Sequence, residues 1–160
     1  MKVQTYQLIE GAKEARGLTV VIDVFRAFTV ACYAYANGAE DIITVGRLED
    51  AYRIKESHPD YILSGERHGR IQPGFDYGNS PARIENVDFT GKTIIHTTSA
   101  GTQGIVNAVR ADEIITGSFV NAKAVARYIG DKNPENVSLV CMGDEGVKKT
   151  RRTISALNIL

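Results

Sequence analysis

The sequence predicts an α/β fold: a layered α/β/α arrangement with a mostly parallel sheet and an internally duplicated βαβα unit. Three observations predict it. Short β-branched runs alternate with segments of helical character along most of the chain, the pattern of a layered α/β fold. The runs are apolar throughout rather than alternating, as strands covered on both faces are. The stretch LTVVIDVFRAFTVACYAYANGAEDIIT also aligns with KTIIHTTSAGTQGIVNAVRADEIIT, pairing Val20 with Thr93, Asp23 with His96 and, after one gap near Gly38, Ile42 with Ile114. The recurring acidic-Ile-Ile-Thr at the matching strand favours duplication.

The elements follow in order. LTVVIDVF (18–25) reads as a buried strand, and RAFTVACYAYANG as a packed helix ending at Gly38, where glycine tolerates a left-handed stop. DIITV (41–45) is a short strand, LEDAYRIKESH an amphipathic helix stopped by Pro59, and YILSG a third strand. The pattern then restarts: KTIIHTT (92–98) is a strand, SAGTQGIVNAV a turn and helix, DEIITG a strand, NAKAVARYIG a helix with Asn121 as N-cap, and VSLVCMG a last strand. The chain thus reads as one α/β unit over 1–160, with similar halves at about 15–63 and 90–143 joined by the connection 64–84.

Composition narrows the function. The 160 residues are 43% hydrophobic, enough for one compact core, and Lys+Arg and Asp+Glu are both 19. A nucleic-acid or anionic-membrane partner would call for a basic excess, so neither is expected. No apolar run reaches a membrane span and MKVQTYQLIEGA lacks the core of a secretory signal; a cytoplasmic protein is expected. Cys32 and Cys141 match no zinc spacing and read as buried free thiols.

The chemistry-bearing residues gather in three places. SGERHGRIQPGFDYGNSPARI (64–84) carries Glu66, Arg67, His68, Arg70, Asp76, Asn79 and Ser80 among four glycines and two prolines, which forbids a regular element. Glu66 and Asp76 are hard oxygen donors suited to Mg2+, and arginine forks suit phosphate or sulfonate; Asn79-Ser80-Pro81 reads equally as an Asx turn. In DVFRAFT, Asp23 ends an apolar strand and Arg26 opens a helix; a carboxylate there needs a metal or a cation, or simply pairs with Arg26. TTSAGTQG (97–104) is a strand-end turn whose hydroxyls, glycines and helix N-terminus outline an anion site or an ordinary cap. No Lys follows Gly104, excluding a Walker loop, and Phe25 stands where a haloacid-dehalogenase phosphatase needs a second aspartate. The three histidines lack metal spacing and are assigned no ligand role. Under the duplication, Asp23, Arg26 and Thr29 share a strand-to-helix crest with His96, Ser99 and Thr102, and ligands of open α/β sheets bind outside such strand ends.

These segments (VIDVFRAFT with YANGA, SGERHGR, GFDYGNSP, GKTIIHTTSAGTQG and VSLVCMG–EG, in that order) resemble the 2-phosphosulfolactate phosphatase family of coenzyme M biosynthesis, from about Thr19 to Gly146. The resemblance implies a duplicated α/β/α fold and Mg2+-dependent hydrolysis of a small anionic phosphorylated substrate bearing a carboxylate and a sulfonate. Carried onto the matched positions, it makes Asp23, Arg26, Glu66, Arg67 and Asp76 catalytic, with the metal ligands drawn from Asp23, Glu66 and Asp76. Around the substrate it places Thr29, Asn79, Ser80 and, from the glycine turn, Thr97, Thr98, Ser99, Gly101 and Thr102.

The ending departs from the family, which continues into an acidic terminal helix of E-D-x-L-C-A-E-Y type, whereas this chain closes on KKTRRTISALNIL. One choice of codons for TRRTISALNIL, read from its third base, encodes EEDYLCAEYL. A single-base slip near Lys148 and Lys149 is therefore expected to have replaced the terminus over 147–160, baring apolar surface and inviting homo-oligomerisation. The alternative to an active phosphatase is a silent anion-binding remnant that kept the pocket and lost its terminal helix.

Overall fold

The computed structural model describes residues 1–148. Thirteen elements succeed one another: β1 (Lys2–Gln7), α1 (Leu8–Glu14), β2 (Gly17–Ile22), α2 (Ala27–Ala36), β3 (Asp41–Thr44), α3 (Leu48–Ser57), β4 (Ile62–Gly65), then α4 (Pro81–Ile84), β5 (Thr93–Thr97), α5 (Gly101–Asn107), β6 (Ala111–Gly117), α6 (Ala122–Lys132) and β7 (Asn136–Cys141). The shifted frame expected beyond Lys148, and the rest of the atypical tail, lie outside the described residues. Among those residues no helix is long and apolar enough to cross a membrane.

All strand pairs are parallel, but they form two sheets instead of one, ordered β1-β7-β2-β6 and β3-β5-β4. The expected duplication aligns β2 with β5 and β3 with β6, and chain order then sets β4 against β7. Each half's first strand thus lies between the second and third strands of the other: β2 between β6 and β7, β5 between β3 and β4. Local periodicity marks strands without saying which ones pair, and this exchange is what one-sheet reasoning misses.

Both central strands are buried on both faces. In β2, Val21 packs with Phe28, Val140 and Met142 on one side, and Val20 and Ile22 with Val125 and Leu139 on the other. In β5, Ile94 packs with Val30, Ile84 and Phe89, and Ile95 with Ala51, Leu63 and Phe75. Helix α2 serves both sheets, giving Ala27 and Phe28 to the first and Val30 and Ala34 to the second. Such burial, on the order of 25 cal/mol per Å2 of apolar surface, drives the layering.

Several boundaries differ from expectation. The strand expected to reach Phe25 ends at Ile22, because the Asp23 N–H makes a last bond to Gly117 O at 3.0 Å before the chain turns. β1 and α1 were not anticipated; β1 is largely exposed and its KVQTYQ carries a weak apolar signal. Asn121 stands at the N-cap of α6 without bonding a helical N–H. Its Oδ1 accepts from Ser118 N–H and Oγ, and its Nδ2 donates to Thr116 O, bracing the β6–α6 turn. Cys141 is buried and Cys32 only partly so; both are free thiols.

The connection 64–84 does two jobs. Its 75–77 part seals the β4 edge: Asp76 and Tyr77 N–H donate to Leu63 O at 3.0 and 3.1 Å, and Gly65 N–H donates to Tyr77 O at 3.0 Å. Its start turns over the strand ends at Gly65, held at φ +139° with a hypothetical Cβ only 1.9 Å from Thr97 O. Gly65→Ala is expected to cost at least about 3 kcal/mol by separating β4 from β5. Gly74→Ala, equally left-handed at φ +74° but facing open space, should cost only about 1–2 kcal/mol. Urea denaturation of the two variants checks the contrast.

Candidate active site

The β2–α2 and β5–α5 turns and the start of the 64–84 connection meet at the carboxyl ends of the strands. There a cavity of about 290 Å3 is lined by Asp23, Phe25, Arg26, Glu66, His68, Gly69, Asn79, Ser99 and Ala100, closed on the far side by Gly143, Asp144 and Glu145. Ligand sites of open α/β sheets sit at such strand ends.

Two carboxylates form its floor, each only 8% exposed. Asp23 follows β2 and receives backbone N–H bonds from Ala27, Gly101 and Phe25. Glu66 follows β4; its Oε1 accepts the Ser99 N–H at 2.7 Å, and its Oε2 accepts the Gly69 N–H at 2.7 Å and the Ser99 hydroxyl at 3.0 Å. The donors of the glycine turn are thus directed at the protein's own acids. Gly101 has no alternative here, since a Cβ would stand 2.9 Å from Asp23 Oδ2 and 2.7 Å from Ala27 Cβ. Burial pushes the Asp23 carboxyl up from 3.8 to about 6; its backbone bonds oppose the shift and the nearby Glu66 adds to it. The charge acting on Asp23 is therefore Glu66, and the alternative of an Asp23–Arg26 ion pair finds no support.

The remaining predicted residues divide. Arg26 is exposed at the rim, and Asn79 and Ser99 line the cavity. Arg67 faces inward elsewhere, donating to Gly46 O and Glu66 O at 2.8 Å and to Thr97 Oγ1 at 2.6 Å. It ties the ends of β4 and β5 to the loop after β3, and burial lowers its pKa. Thr98 and Thr102 bond each other: Thr98 N–H donates to Thr102 Oγ1 at 2.8 Å and Thr102 N–H to Thr98 Oγ1 at 3.2 Å. Thr97, Thr98 and Thr102 are all buried, so their hydroxyls shape the turn. Thr29 donates to Val24 O at 3.3 Å, and Ser80 precedes Pro81 at the head of α4 without a side-chain cap bond.

Asp76 stands outside the cavity lining, 45% exposed, with Oδ2 accepting the Leu63 N–H at 2.8 Å. Among the described residues no three His, Cys, Asp or Glu side chains group as a metal site, so the expected Asp23–Glu66–Asp76 set does not converge. Sequence reasoning also passed over Asp144 and Glu145, although the match in the VSLVCMG–EG segment runs through them. It left His68 without a role; its Nδ1 lies 2.6 Å from Glu145 Oε1, linking two walls of the cavity.

His96, aligned with Asp23 in the other half, is 2% exposed, and burial drives its pKa down from 6.5 to about 4. The two groups give opposite pH slopes. Asp23, raised in the fold, favours folding below about pH 4 and loses that contribution as pH rises through about 6. His96, depressed in the fold, favours folding above about 6.5 and loses that contribution as pH falls through about 4. Each shift corresponds to roughly 3 kcal/mol, so they largely offset between pH 4 and 6. Asp23→Asn should stabilise the metal-free protein at pH 7 and unmask acid lability from pH 6 down to 4, read as Tm against pH. A wild-type slope retained in the variant would refute the assignment.

The sequence profile of the family described as 2-phosphosulpholactate phosphatase matches residues 3–159. A probable 2-phosphosulfolactate phosphatase of Bacillus subtilis is 36% identical over 129 residues, covering 81% of this chain and 57% of the relative. Another, of Caldanaerobacter subterraneus subsp. tengcongensis, is 38% identical over 145 residues, covering 89% and 60%. One from Carboxydothermus hydrogenoformans is 43% identical over 130 residues, covering 81% and 54%. The chain spans between 54% and 60% of the length of these three relatives.

Proposed function

The chain belongs to the 2-phosphosulfolactate phosphatase family, and from that premise we propose that it is a Mg2+-dependent phosphatase of a small anionic phosphomonoester, 2-phospho-3-sulfolactate, releasing 3-sulfolactate and phosphate. The observation that carries this reading is the buried pair Asp23 and Glu66 on one cavity floor, mutually repulsive and held in place by backbone donors. Two like charges so placed fit a divalent cation. Mg2+ in particular is held by one or two carboxylates, keeping waters and substrate phosphate as its other ligands. Bound there it would neutralise charge on the phosphoryl oxygens.

The chain's own residues supply the rest. Arg26, at the exposed rim, offers a planar fork to a carboxylate, sulfonate or phosphoryl group. Ser99 keeps its N–H and hydroxyl on Glu66 and so fixes the carboxylate. Arg67 acts as a positioning residue, joining Gly46, Thr97 and Glu66 where β4 and β5 end. Phe25 meets Phe119 edge-on at 6.1 Å, placing an apolar rim beside the cavity.

Phosphate release from 2-phospho-3-sulfolactate, with Mg2+ or with chelator, tests the proposal. Release that requires Mg2+ is expected. Asp23→Asn and Glu66→Gln should each lower it by at least about 100-fold, and Arg26→Ala should raise KM more than it lowers kcat. Equal release in chelator overturns the metal dependence, and no release from this ester while other phosphomonoesters turn over overturns the substrate. A folded protein that binds phosphate and releases none from any ester returns the silent remnant.

A further inference from the structure

The third carboxylate expected for the metal is spent elsewhere, and the same loop offers another oxygen. Asp76 gives Oδ2 to the Leu63 N–H at 2.8 Å, while its own N–H and that of Tyr77 bond Leu63 O. The loop is thereby pinned along the β4 edge. Three residues on, Asn79 lines the cavity that Asp23 and Glu66 floor, and its Oδ1 is buried with no hydrogen-bond partner among the described residues. Leaving a buried amide oxygen unpaired is costly, and native structures rarely retain one without a use. Amide oxygens are hard donors of the kind that ligate Mg2+ and Ca2+ beside carboxylates.

We infer that Asn79 Oδ1, with the Asp23 and Glu66 carboxylates, completes the divalent-cation site, and that Asp76 is a positioning residue that presents Asn79 through its bond to Leu63. The inference rests on the proposed metal dependence and replaces Asp76 with Asn79 in the ligand set. It also explains why an amide follows the acid in GFDYGNSP: a neutral oxygen in the cavity adds no negative charge to the Asp23 and Glu66 carboxylates before the cation arrives, where a third carboxylate would.

The test is binding, without substrate or turnover. Mn2+ is titrated into metal-free protein and followed by the loss of the free-ion EPR signal, with thermal unfolding of each metal-free variant alongside. Asn79→Ala is expected to weaken Mn2+ by at least about tenfold with unchanged or higher metal-free Tm, since the orphaned oxygen is gone. Asp76→Asn is expected to lower Tm and to weaken Mn2+ less than Asn79→Ala does. Should Asn79→Ala fail to fold, Asn79→Asp decides: tighter Mn2+ binding supports the ligand role and unchanged binding overturns it. Wild-type affinity in folded Asn79→Ala overturns the inference while leaving the metal reading intact. Absence of Mn2+ binding by the wild-type protein overturns both.

Discussion

Everything at the strand ends is organised around the burial of two carboxylates. Ionised acids in a largely apolar setting cost several kcal/mol each unless their oxygens are satisfied. Here the donors are backbone N–H groups of the turns that the fold supplies: Ala27 and Phe25 from the β2–α2 turn, Gly101 and Ser99 from the β5–α5 turn, and Gly69 from the connection. Because these donors, the Ser99 hydroxyl apart, are main-chain atoms, the acids cannot be held without the turns being where they are. The demands on the turns are correspondingly steric, and Gly65 and Gly101 each sit where a Cβ would strike the neighbouring turn or strand.

The placing of β2 and β5 at the interior of two different sheets makes this convergence possible. β2 belongs to the sheet built on β6 and β7, and β5 to the sheet built on β3 and β4, so the crest after β2 and the crest after β5 come from different sheets. α2, packed against both sheets, holds them in register. Equivalent positions then diverge in chemistry. Asp23 reaches the cavity and is kept near its charged range by three N–H bonds, while His96, at the matching place, is engulfed and kept neutral.

Much of this was legible in the sequence because it rests on local chemistry. The β-branched runs gave every strand except β1, whose exposed KVQTYQ lacks an apolar face to announce it. Glycine and proline density located the connection, and the strand-end acids Asp23 and Glu66 were visible as costly residues beside apolar runs. What sequence could not supply was partnership. Thr97, Thr98, Thr102 and Arg67 belong to the right turns, yet their polar atoms are consumed within the protein. Asp76 and Asn79 lie three residues apart in one loop, and only the pairing of that loop with β4 shows that the acid serves the sheet edge while Asn79 lines the cavity. Asp144 and Glu145 are distant in sequence and join the wall because β7 lies beside β2.

The sign of the cavity bears on the order of events under the proposed function. Asp23, Glu66, Asp144 and Glu145 line it, against Arg26, and His68 is engaged by Glu145. A phosphomonoester that also carries a carboxylate and a sulfonate would meet net repulsion in such a cavity, and low local dielectric strengthens that repulsion. A divalent cation on the Asp23–Glu66 floor reverses the local sign, so cation and substrate should bind with positive coupling, the first easing the second. Linkage makes that coupling reciprocal: the same substrate that needs the cation must also tighten it. The exposed Arg26 then has a task distinct from the floor, since a fork at the rim meets an incoming anion before the buried acids do. Under the proposed function, the floor that would hold the cation and the rim that would meet the anion differ in burial. The acids are 8% exposed and held by main-chain donors, whereas the rim arginine stands in solvent.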